Sequence, residues 1–548
     1  MPFMERSSAA EVGTAHGGAA DETGGVPLNG AAYGAPAQNG TAAGPGSGSS
    51  LPGVAYAWAA LGGDSTLLDR VSCTPRAVLP ARLPVRELAR ASVAVCSLAA
   101  AELASLRSAG TDDGTLTAPA VHVDDGAVAT SFTGERHLRT DGRASVAFAP
   151  LSRFWRTRQG WLRTHANYPH HRARLLSALG LPADRDDAAL AEILQAELAG
   201  RDTLQVEEAV HSAGGVAVAV RTPQEWATHP QGVQAARRPL LTTARLDQAA
   251  PRPLPEQAGH GPLHGLRVLD LTRVLAGPVA TRTLALLGAD VLRVDSPQLP
   301  EDTATHAATS AGKRSAFLDL SSRAGQADFE ELLAAADVVV TGYRPGALDR
   351  FGLAPESLAD RRAGVIVGQL SAWGAYGPWH RRRGFDSLVQ AASGIALTEG
   401  QQDESGETAP GALPAQALDH GTGYLLAAAL MRAVTEQRRG RCGARLVRLA
   451  LAQTADWLLH GLTSPAPGVT PGAAAGRFAW TQTDAGGAHT PADPADPVDA
   501  VDPSAWLAET DSPLGRLRYA LPPVAYEGSP ADWSRPPGVP GADPAAWW

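Results

Sequence analysis

The sequence predicts an α/β protein in which a doubly wound parallel sheet is joined to a smaller α+β domain. Between residues 263 and 462, short apolar runs alternate with helical patterns across short loops. Such alternation is typical of a parallel sheet with helices on both faces. Residues 154–232 instead mix strand and helix patterns without regular alternation, which favours an α+β arrangement.

The first strand–helix–strand unit of the sheet lies at residues 266–295. Residues 266–271, LRVLDL, are a short apolar run, and Pro278 suits an early helical position after the loop TRVLAG, because proline is favoured in the first helical turn. The helical pattern VATRTLALLGA is closed by Gly288, and DVLRVD (290–295) follows as a second buried strand. This unit predicts a Rossmann-like domain.

The alternation continues through residues 315–370. It consists of the strand pattern SAFLDL, the serine-capped helix pattern SSRAGQADFEELLAAA, and the strand patterns DVVVTG and GVIVGQL. Ligands of such sheets bind beyond the carboxyl ends of the strands. We therefore expect four loops around one crevice, namely 272–278, 296 onward, 341–350 and 371–383.

The smaller domain is predicted from two stretches before residue 245. FWRTRQGWLRTHANYPHHRARLLSALGLP has the pattern of a strand pair followed by a helix, and GGVAVAVRTPQEWATHPQG that of a strand followed by a capped turn. Segments rich in Gly, Ala or Pro divide the chain further. The predicted divisions are a disordered tail at 1–50, an α+β block at 51–245, a linker at 246–262, the sheet domain at 263–462, a proline-rich linker at 463–503 and a closing segment at 504–548.

Composition disfavours several classes of protein. The 548 residues are 44% hydrophobic and carry a net charge of −9, so sizeable cores are expected and binding to nucleic acid or a membrane surface is not. The sequence has no 18-residue apolar stretch and no signal-peptide pattern, which argues against membrane insertion and secretion. Cys73, Cys96 and Cys442 have no metal-like spacing; this favours a reducing, cytoplasmic location.

Two motif hypotheses are disfavoured. In TRVLAGP, Gly277 lacks the partner glycines of a dinucleotide-binding loop, so an ordinary NAD enzyme is not expected even though Asp295 ends the second strand. His165, His170 and His171 would need a further ligand to hold a metal, because adjacent histidines diverge in both strands and helices. A polar surface or interface role is favoured for them, and no metal is expected.

Arginines are concentrated in two of the loops assigned to the crevice. They could form a solvated face, or they could bind a phosphate-rich ligand. The residues are Arg344, Arg350, Arg381, Arg382 and Arg383.

An acidic residue stands at the start of a long helix rich in alanine and leucine. This residue, Asp419, lies just before Gly421-Thr422-Gly423. Its carboxylate could cap the helix by accepting first-turn N–H groups. It could also be a nucleophile, and the residues alone leave both roles open.

Several stretches between residues 265 and 394 resemble family III CoA-transferases, the group that includes formyl-CoA and carnitine CoA-transferases. They are GLRVLDLTRVLAGPVATRTLALLGADVLRVD, GKRSAFLDL, ADVVVTGYRPGALDRFGL and GFDSLVQAASG. The resemblance implies a Rossmann-like CoA-binding domain with a small α+β domain. In that family an aspartate before a long helix is the nucleophile, and Asp419 of LDHGTG takes its place.

The resemblance also implies a substrate, a mechanism and a binding site. CoA would move from an acyl-CoA thioester to a carboxylic acid through an aspartyl anhydride and an aspartyl-CoA thioester, without a permanently bound cofactor. Asp419, with an ordinary pKa of about 3.9, would be ionised and would need no base. Contacts to coenzyme A would come from Val274, Leu275, Ala276, Leu318, Tyr343, Arg350 and Arg383.

The chain departs from the family at several positions. Gly342 replaces a usual asparagine, and Ser296 and Ser321 replace basic residues of some members. The racemase branch uses a histidine in a Gly-His-Asp motif, but this chain has Phe385 there, which cannot accept a proton. The alternatives are an acyl-CoA racemase-like isomerase and a non-catalytic relative that binds acyl-CoA.

The order of the parts also departs from the family. The two stretches of the smaller domain resemble the family's small domain, which usually follows the catalytic helix, and SPLGRLRYALPPVAYEG (512–528) resembles its closing segment. The chain therefore resembles a truncated copy fused ahead of a second copy without a small domain. Because family members form interlocked dimers, the first copy could replace a partner, or the chain could form a homodimer.

Overall fold

The computed structural model describes residues 51–108, 118–144, 148–255, 261–402, 406–441, 443–462 and 501–548. These residues belong to one compact unit. The expected tail at 1–50 lies outside them, as does most of the expected linker at 463–503. The expected domain boundaries stay predictions.

The helices and strands of the described residues follow in chain order. The strands are β1 (Val71–Thr74), β2 (Val121–Asp124), β3 (Arg139–Thr140), β4 (Arg143–Ala144), β5 (Phe154–Arg156), β6 (Trp161–Thr164), β7 (Ala217–Ala219), β8 (Leu241–Arg245), β9 (Arg267–Leu271), β10 (Asp290–Asp295), β11 (Arg314–Phe317), β12 (Val338–Thr341), β13 (Ile366–Ser371), β14 (Gln401–Gln402), β15 (Thr408–Ala409), β16 (Arg445–Ala450), β17 (Leu507–Ser512) and β18 (Gly515–Ala520). The helices are α1 (Pro52–Ala60), α2 (Val85–Ser108), α3 (Asp125–Phe132), α4 (Gly134–His137), α5 (Pro169–Leu179), α6 (Asp187–Ala199), α7 (Thr203–Ser212), α8 (Pro223–Thr228), α9 (Pro230–Ala236), α10 (Ala276–Leu286), α11 (Thr303–Thr309), α12 (Arg323–Ala335), α13 (Pro355–Arg361), α14 (Asp386–Ser393), α15 (Ile395–Thr398), α16 (Ala417–Arg438) and α17 (Leu451–Asp456).

Seven strands form the main sheet, in the order β11-β10-β9-β12-β13-β16-β8. The first six are parallel to one another. The strand order reverses between β9 and β12, which makes this the topological switch point where such sheets bind ligands. The predicted doubly wound, mostly parallel sheet is confirmed, and strands β9 to β13 lie where the sequence patterns predict them.

The edge of this sheet comes from a part of the chain that the sequence patterns assign elsewhere. Strand β8 precedes the expected linker, yet it pairs antiparallel with β16 along its whole length, from Leu241 opposite Leu449 to Arg245 opposite Arg445. The main sheet is therefore completed by the block before residue 246.

The smaller α+β part is also present. Strands β5, β6 and β7 form an antiparallel sheet. Its apolar side chains share a core with α5, α6 and α7, in which Trp155, Leu162, Leu176 and Leu194 are buried. A further small sheet, β17-β18-β3-β4, ties the C-terminal segment to residues 139–144.

Helix α16 is buried along nearly its whole length. One of its neighbours is α2, and Arg432 of α16 forms a buried ion pair with Glu102 of α2 (Nη1 to Oε2, 2.5 Å). Among the described helices, α2 is the one long and apolar enough to cross a membrane, but 89% of its apolar window is buried inside the protein. Such burial is typical of a core helix.

Candidate active site

Asp419 is the third residue of α16, and its carboxylate does not cap that helix. The N-cap residue is Gln416, which makes no side-chain capping bond. The Asp419 backbone N–H instead donates to Oδ2 of Asp386 (2.9 Å), and within the described residues the Asp419 carboxylate has no hydrogen bond of its own. The capping hypothesis for Asp419 is therefore wrong, because Asp386 carries out this role from α14.

Asp386 is held in place by a short chain of polar contacts. Its Oδ1 accepts a hydrogen bond from Nε2 of Gln390 (2.5 Å), and Oε1 of Gln390 accepts one from the Leu413 N–H (2.9 Å). Asp386 and Gln390 are both buried. The start of α16 is thus fixed from α14 through side chains four residues apart, which face the same side of a helix.

The pKa of Asp419 differs from the ordinary value expected for it. Burial raises the pKa of Asp419 well above its usual range, and the nearby charges of Asp386 and Glu135 raise it further. Burial also raises the pKa of Asp386 to about 6. Both effects disfavour the charged form. The expectation of a pKa of about 3.9 for Asp419 is therefore wrong.

This raised pKa predicts a pH dependence for any reaction in which Asp419 attacks. The reactive form is the carboxylate, so activity is expected to fall as the pH falls through the raised pKa. Asp386→Asn removes one nearby charge while its amide oxygen can still accept the Asp419 N–H. We expect this variant to move the acid limb of a kcat/KM–pH profile down by about 1 pH unit.

Glu135→Gln is the matched comparison, because Glu135 contributes less than Asp386 to the raised pKa of Asp419. Its acid limb should move in the same direction by a smaller amount. Identical acid limbs in the wild type and in a folded Asp386→Asn variant would show that Asp419 does not limit the rate.

The loop after β9 lies directly beneath the start of α16. A Cβ atom built at Gly423 would lie 2.6 Å from the Ala276 carbonyl oxygen and 2.9 Å from Cβ of Val279, so glycine permits the close approach of α16 and α10. The structure thus brings Leu275 and Ala276, two of the predicted CoA contacts, to the segment that carries Asp419.

A buried ion pair anchors the beginning of this loop. The Asp270 carboxylate accepts hydrogen bonds from Nζ of Lys313 (2.9 Å) and from the hydroxyls of Thr272 (2.5 Å) and Thr281 (2.7 Å). Burial lowers the pKa of Lys313 to about 8, although the charge of Asp270 opposes this shift. These contacts join β9 to α10 and to the start of β11.

A second carboxylate holds the middle of the loop. Val274 has a positive φ of 69°, a conformation unfavourable for a β-branched residue. Its N–H donates to Oε2 of Glu301 (3.1 Å), and Oε1 of Glu301 accepts from the Tyr168 hydroxyl (2.7 Å). Arg273 pairs with the same carboxylate (3.3 Å). Tyr168 belongs to the stretch HANYPHH, so the smaller sheet region helps to position the loop after β9.

A cavity of about 180 Å³ lies at the carboxyl ends of β12 and β13. Tyr343, which is 37% exposed, lines it together with Arg344 and Tyr376. A Cβ built at Gly342 would lie 3.5 Å from Cβ of Thr272. The loops after β9 and β12 therefore meet at the switch point, as predicted from the sheet order.

Three arginines cluster beside this cavity. Arg383 and Arg174 both donate through Nη1 to the Gly214 carbonyl oxygen (3.2 Å each). Burial lowers the pKa of Arg383, and the charges of Arg344 and Arg174 lower it further. Within the described residues, none of the three forms an ion pair with a carboxylate. No sequence pattern placed Arg174 near the crevice, because its helix α5 lies far from the crevice loops in sequence.

Two other predicted site residues, Leu318 and Arg350, do not line the Tyr343 cavity. Leu318 is buried in an apolar cluster beneath the sheet, and Arg350 is exposed, with its guanidinium carbon 4.6 Å from the centroid of Phe351. Arg382 pairs with Glu208 (2.6 Å). The roles predicted for Leu318 and Arg350 stay predictions.

The histidines of HANYPHH pack on aromatic rings. His165 stacks on Phe385 with ring centroids 3.6 Å apart, and the centroid of His171 lies 5.8 Å from that of Phe385. Burial lowers the pKa of His165 well below its usual range and that of His171 to about 3, so both are neutral at pH 7. Among the described residues, no three His, Cys, Asp or Glu side chains are placed to hold a metal ion.

The starts of α2 and α16 have related sequences. Residues 83–92 read LPVRELARAS and residues 413–422 read LPAQALDHGT. In this alignment Ala89 stands where α16 has Asp419, and Arg90 stands where it has His420. Arg90 is committed to a buried ion pair with Asp125 (2.5 Å). The position in α2 that matches Asp419 thus has no carboxylate.

Residues 263–480 match the sequence profile of CoA-transferase family III. The chain contains a family III CoA-transferase domain. This domain holds the main sheet from β9 to β16, the loops of the switch point and the whole of α16. The predicted family is therefore confirmed over this region.

Relatives of the family III domain carry names of the same kind. An acetyl-coenzyme A transferase of Hypoxylon pulicicidum is 34% identical over 37% of this chain and 34% of its own length. An acyl-CoA transferase of Gibberella moniliformis is 30% identical over 51% of each chain. This chain thus spans about half or less of the length of these relatives.

One solved structure is similar in sequence to part of this chain. The crystal structure of a hypothetical protein from Mycobacterium tuberculosis is 33% identical, and the match covers 37% of this chain and 58% of that chain with a TM-score of 0.34.

Proposed function

We propose that this protein transfers CoA from an acyl-CoA thioester to a carboxylic acid, with Asp419 as the nucleophile. The observation that carries this proposal is the placement of Asp419 in the buried first turn of α16, directly over the loop after β9. Burial, the Asp386 contact and the domain's family membership all support a reactive role for this carboxylate.

The reaction needs only the carboxylate and the two substrates. The ionised Asp419 attacks the thioester carbonyl, giving a mixed anhydride and CoA thiolate. The thiolate then attacks the aspartyl carbonyl, which releases the donor acid and leaves an aspartyl-CoA thioester. The acceptor carboxylate attacks that thioester, which releases CoA thiolate and forms a second mixed anhydride between the acceptor and Asp419. The thiolate then attacks the acceptor carbonyl of this anhydride, which forms the new acyl-CoA and frees the Asp419 carboxylate.

The burial of Asp419 serves this sequence in two ways. Both anhydrides are destroyed by water, so a site that excludes water protects them. A carboxylate that has lost its hydration shell is also a stronger nucleophile. The cost is the raised pKa described above, because the same burial favours the protonated form.

The arginine cluster supports the choice of CoA as the substrate. Arg174, Arg344 and Arg383 bring three positive charges together, and no carboxylate among the described residues forms an ion pair with them. Coenzyme A carries a pyrophosphate and a ribose phosphate, which are ligands that guanidinium groups bind through paired hydrogen bonds. The cluster lies beside the Tyr343 cavity at the switch point.

The proposed activity is tested by offering the purified chain acyl-CoA esters and free acids in pairs. New CoA esters, identified by mass spectrometry without ATP, are the expected result. If no acid is converted with any of a broad set of donors, the transferase proposal fails, and acyl-CoA binding without turnover would favour the non-catalytic alternative.

Substitution in the arginine cluster should weaken CoA binding. Arg383→Gln and Arg174→Gln each remove a charged partner for a phosphate, so we expect the KM for acyl-CoA to rise about 10-fold or more with little change in kcat. Arg382→Gln is the control, because Arg382 is already paired with Glu208. If Arg383→Gln and Arg174→Gln have the same KM for acyl-CoA as Arg382→Gln, the arginine cluster does not bind a phosphate of CoA.

A further inference from the structure

The Tyr343 cavity extends from the switch point to the β8 edge of the main sheet. Its floor is a row of side chains that oppose one another on four adjacent strands, namely Thr341 of β12, Gln369 of β13, Arg448 of β16 and Thr242 of β8. Side chains in register on neighbouring strands point to the same face of a sheet. The floor therefore joins the family III domain to a strand that precedes residue 246.

Arg448 is the charged member of this floor. Its Nε donates to Oε1 of Gln369 (2.8 Å), which orients the guanidinium group. Within the described residues, no aspartate or glutamate forms an ion pair with Arg448. A half-buried cation without a counter-ion is unfavourable, so an anion bound on the floor would be stabilised by this group.

Two further arginines, Arg238 and Arg344, line the same cavity. The guanidinium carbon of Arg238 lies 5.1 Å from the ring centroid of Tyr376. In the part of the chain that the structure describes, neither arginine is paired with a carboxylate. Asp349 also lines the cavity, but it is exposed, so water screens its charge. The lining thus has a net charge of +2 with Asp349 included.

Tyr376 adds an uncharged donor to the lining. Its hydroxyl is buried and has no hydrogen-bond partner among the described residues, which is unfavourable for a polar group. Burial raises the pKa of this hydroxyl, so it stays protonated at neutral pH and can donate. The charge of Asp456 also acts on Tyr376, but Asp456 contacts His460 (3.1 Å) and does not line the cavity.

We propose that this cavity binds a phosphate group, either as inorganic phosphate or as a small phosphate monoester, with Arg448 and Arg238 as the charged partners. The site is separate from that of the CoA substrate, so the proposal goes beyond the proposed function and involves no transfer chemistry. A phosphate dianion matches the net charge of the lining, and its oxygens accept from guanidinium and hydroxyl donors on several sides.

The volume of the cavity limits the ligand to a small one. A cavity of about 150 Å³ in another protein holds one benzene molecule, with its six carbon atoms. By that measure, 180 Å³ accommodates roughly seven non-hydrogen atoms. Phosphate has five, so a short ester group also fits, whereas a complete nucleotide exceeds the cavity.

The proposal is tested by equilibrium titration of the full chain with inorganic phosphate at constant ionic strength. We expect saturable binding of one equivalent. Arg448→Gln should weaken it at least about 10-fold, because a charged hydrogen-bond donor is lost, and Tyr376→Phe should weaken it about threefold. Methyl phosphate is titrated in parallel. Tighter binding of methyl phosphate indicates a monoester ligand and tighter binding of inorganic phosphate the free ion, and both results support a phosphate site.

Arg445→Gln is the matched control, because Arg445 precedes Arg448 by three residues in β16 and therefore faces the other side of the sheet. It should leave phosphate affinity within about twofold of the wild type. If wild-type protein shows no saturable binding, or if Arg448→Gln and Arg445→Gln bind phosphate equally, the proposal is overturned. Should Arg448→Gln not fold, Arg238→Gln replaces it, because Arg238 is exposed; unchanged affinity in that variant overturns the proposal as well.

CoA is the other anion that could enter this cavity, and repeating the titration at increasing CoA concentrations tests this. Arg344 belongs both to the cavity and to the arginine cluster proposed to bind CoA phosphates, so bound CoA should weaken phosphate binding only to a constant limit. A loss of phosphate affinity that grows without limit as CoA is added would place CoA itself in the cavity and overturn the proposal. Since these measurements need no turnover, failure of the CoA-transferase proposal would leave them interpretable.

Discussion

Asp419→Asn is expected to lower the rate of CoA transfer by on the order of 10⁴-fold or more, because it removes the nucleophile that forms both covalent intermediates. The protein should stay folded. Asparagine has nearly the same size, the helix is capped by Asp386 through the backbone N–H (2.9 Å), and the variant loses a carboxyl group whose charge is unfavourable beside Asp386.

Hydroxylamine trapping distinguishes a nucleophile from a merely nearby carboxylate. With a competent acyl-CoA, the wild type should accumulate a hydroxamate on the peptide that contains Ala417 to Tyr424, at one equivalent per chain, since Ala89 occupies the related position in α2. Asp386→Asn should still be labelled. Normal turnover in a folded Asp419→Asn variant, or labelling of that variant, would assign the chemistry to another residue.

Expression of residues 255–548 alone is expected to give insoluble or unfolded protein. This fragment lacks α2, in which Leu88, Leu98 and Leu103 are completely buried, so the apolar face of α16 loses its cover. Each such leucine contributes about 1.5–3 kcal/mol through burial, and a whole domain is stable by only about 5–15 kcal/mol.

Two further losses act in the same direction. The fragment lacks β8, so β16 becomes an exposed edge strand. It also lacks Glu102, so Arg432 loses the shorter of its two ion pairs (2.5 Å) and keeps only Glu436 (3.1 Å). Soluble yield and circular dichroism would measure the outcome, and co-expression with residues 51–254 should restore soluble protein. A soluble fragment with full activity would show that the two parts of the chain are independent.

The sequence predicted those parts of the fold that depend on local patterns. Strands β9 to β13 and helices α10 and α12 follow from apolar periodicity and from signals such as Ser322 at the start of α12. Strand β8 and the packing of α2 on α16 could not be predicted in this way. They join residues more than 190 positions apart, as in the pair Leu241 and Leu449, and no local pattern specifies such a partner.

The candidate site also has parts that could be predicted from sequence motifs and parts that depend on tertiary contacts. Asp419 and the loop 274–276 were predicted from motifs that resemble a known family, and the structure places them together. The cap from Asp386, the raised pKa of Asp419 and the contribution of Arg174 arise from tertiary contacts and burial. The residue types gave no signal for them, since an aspartate or arginine in a sequence is usually exposed.

The burial of α16 limits where substrate specificity can change. Nearly every position of this helix is packed against another part of the protein, so a substitution there alters the shape of the core before it alters the fit of a substrate. The segment 510–537 is different, because residues such as Leu517 and Trp533 line a cavity of about 200 Å³ that Leu275 and His420 also line, and the segment carries no part of the nucleophile's support. Libraries built on this C-terminal segment should therefore yield mainly folded proteins, and libraries built on α16 should yield mainly unstable ones.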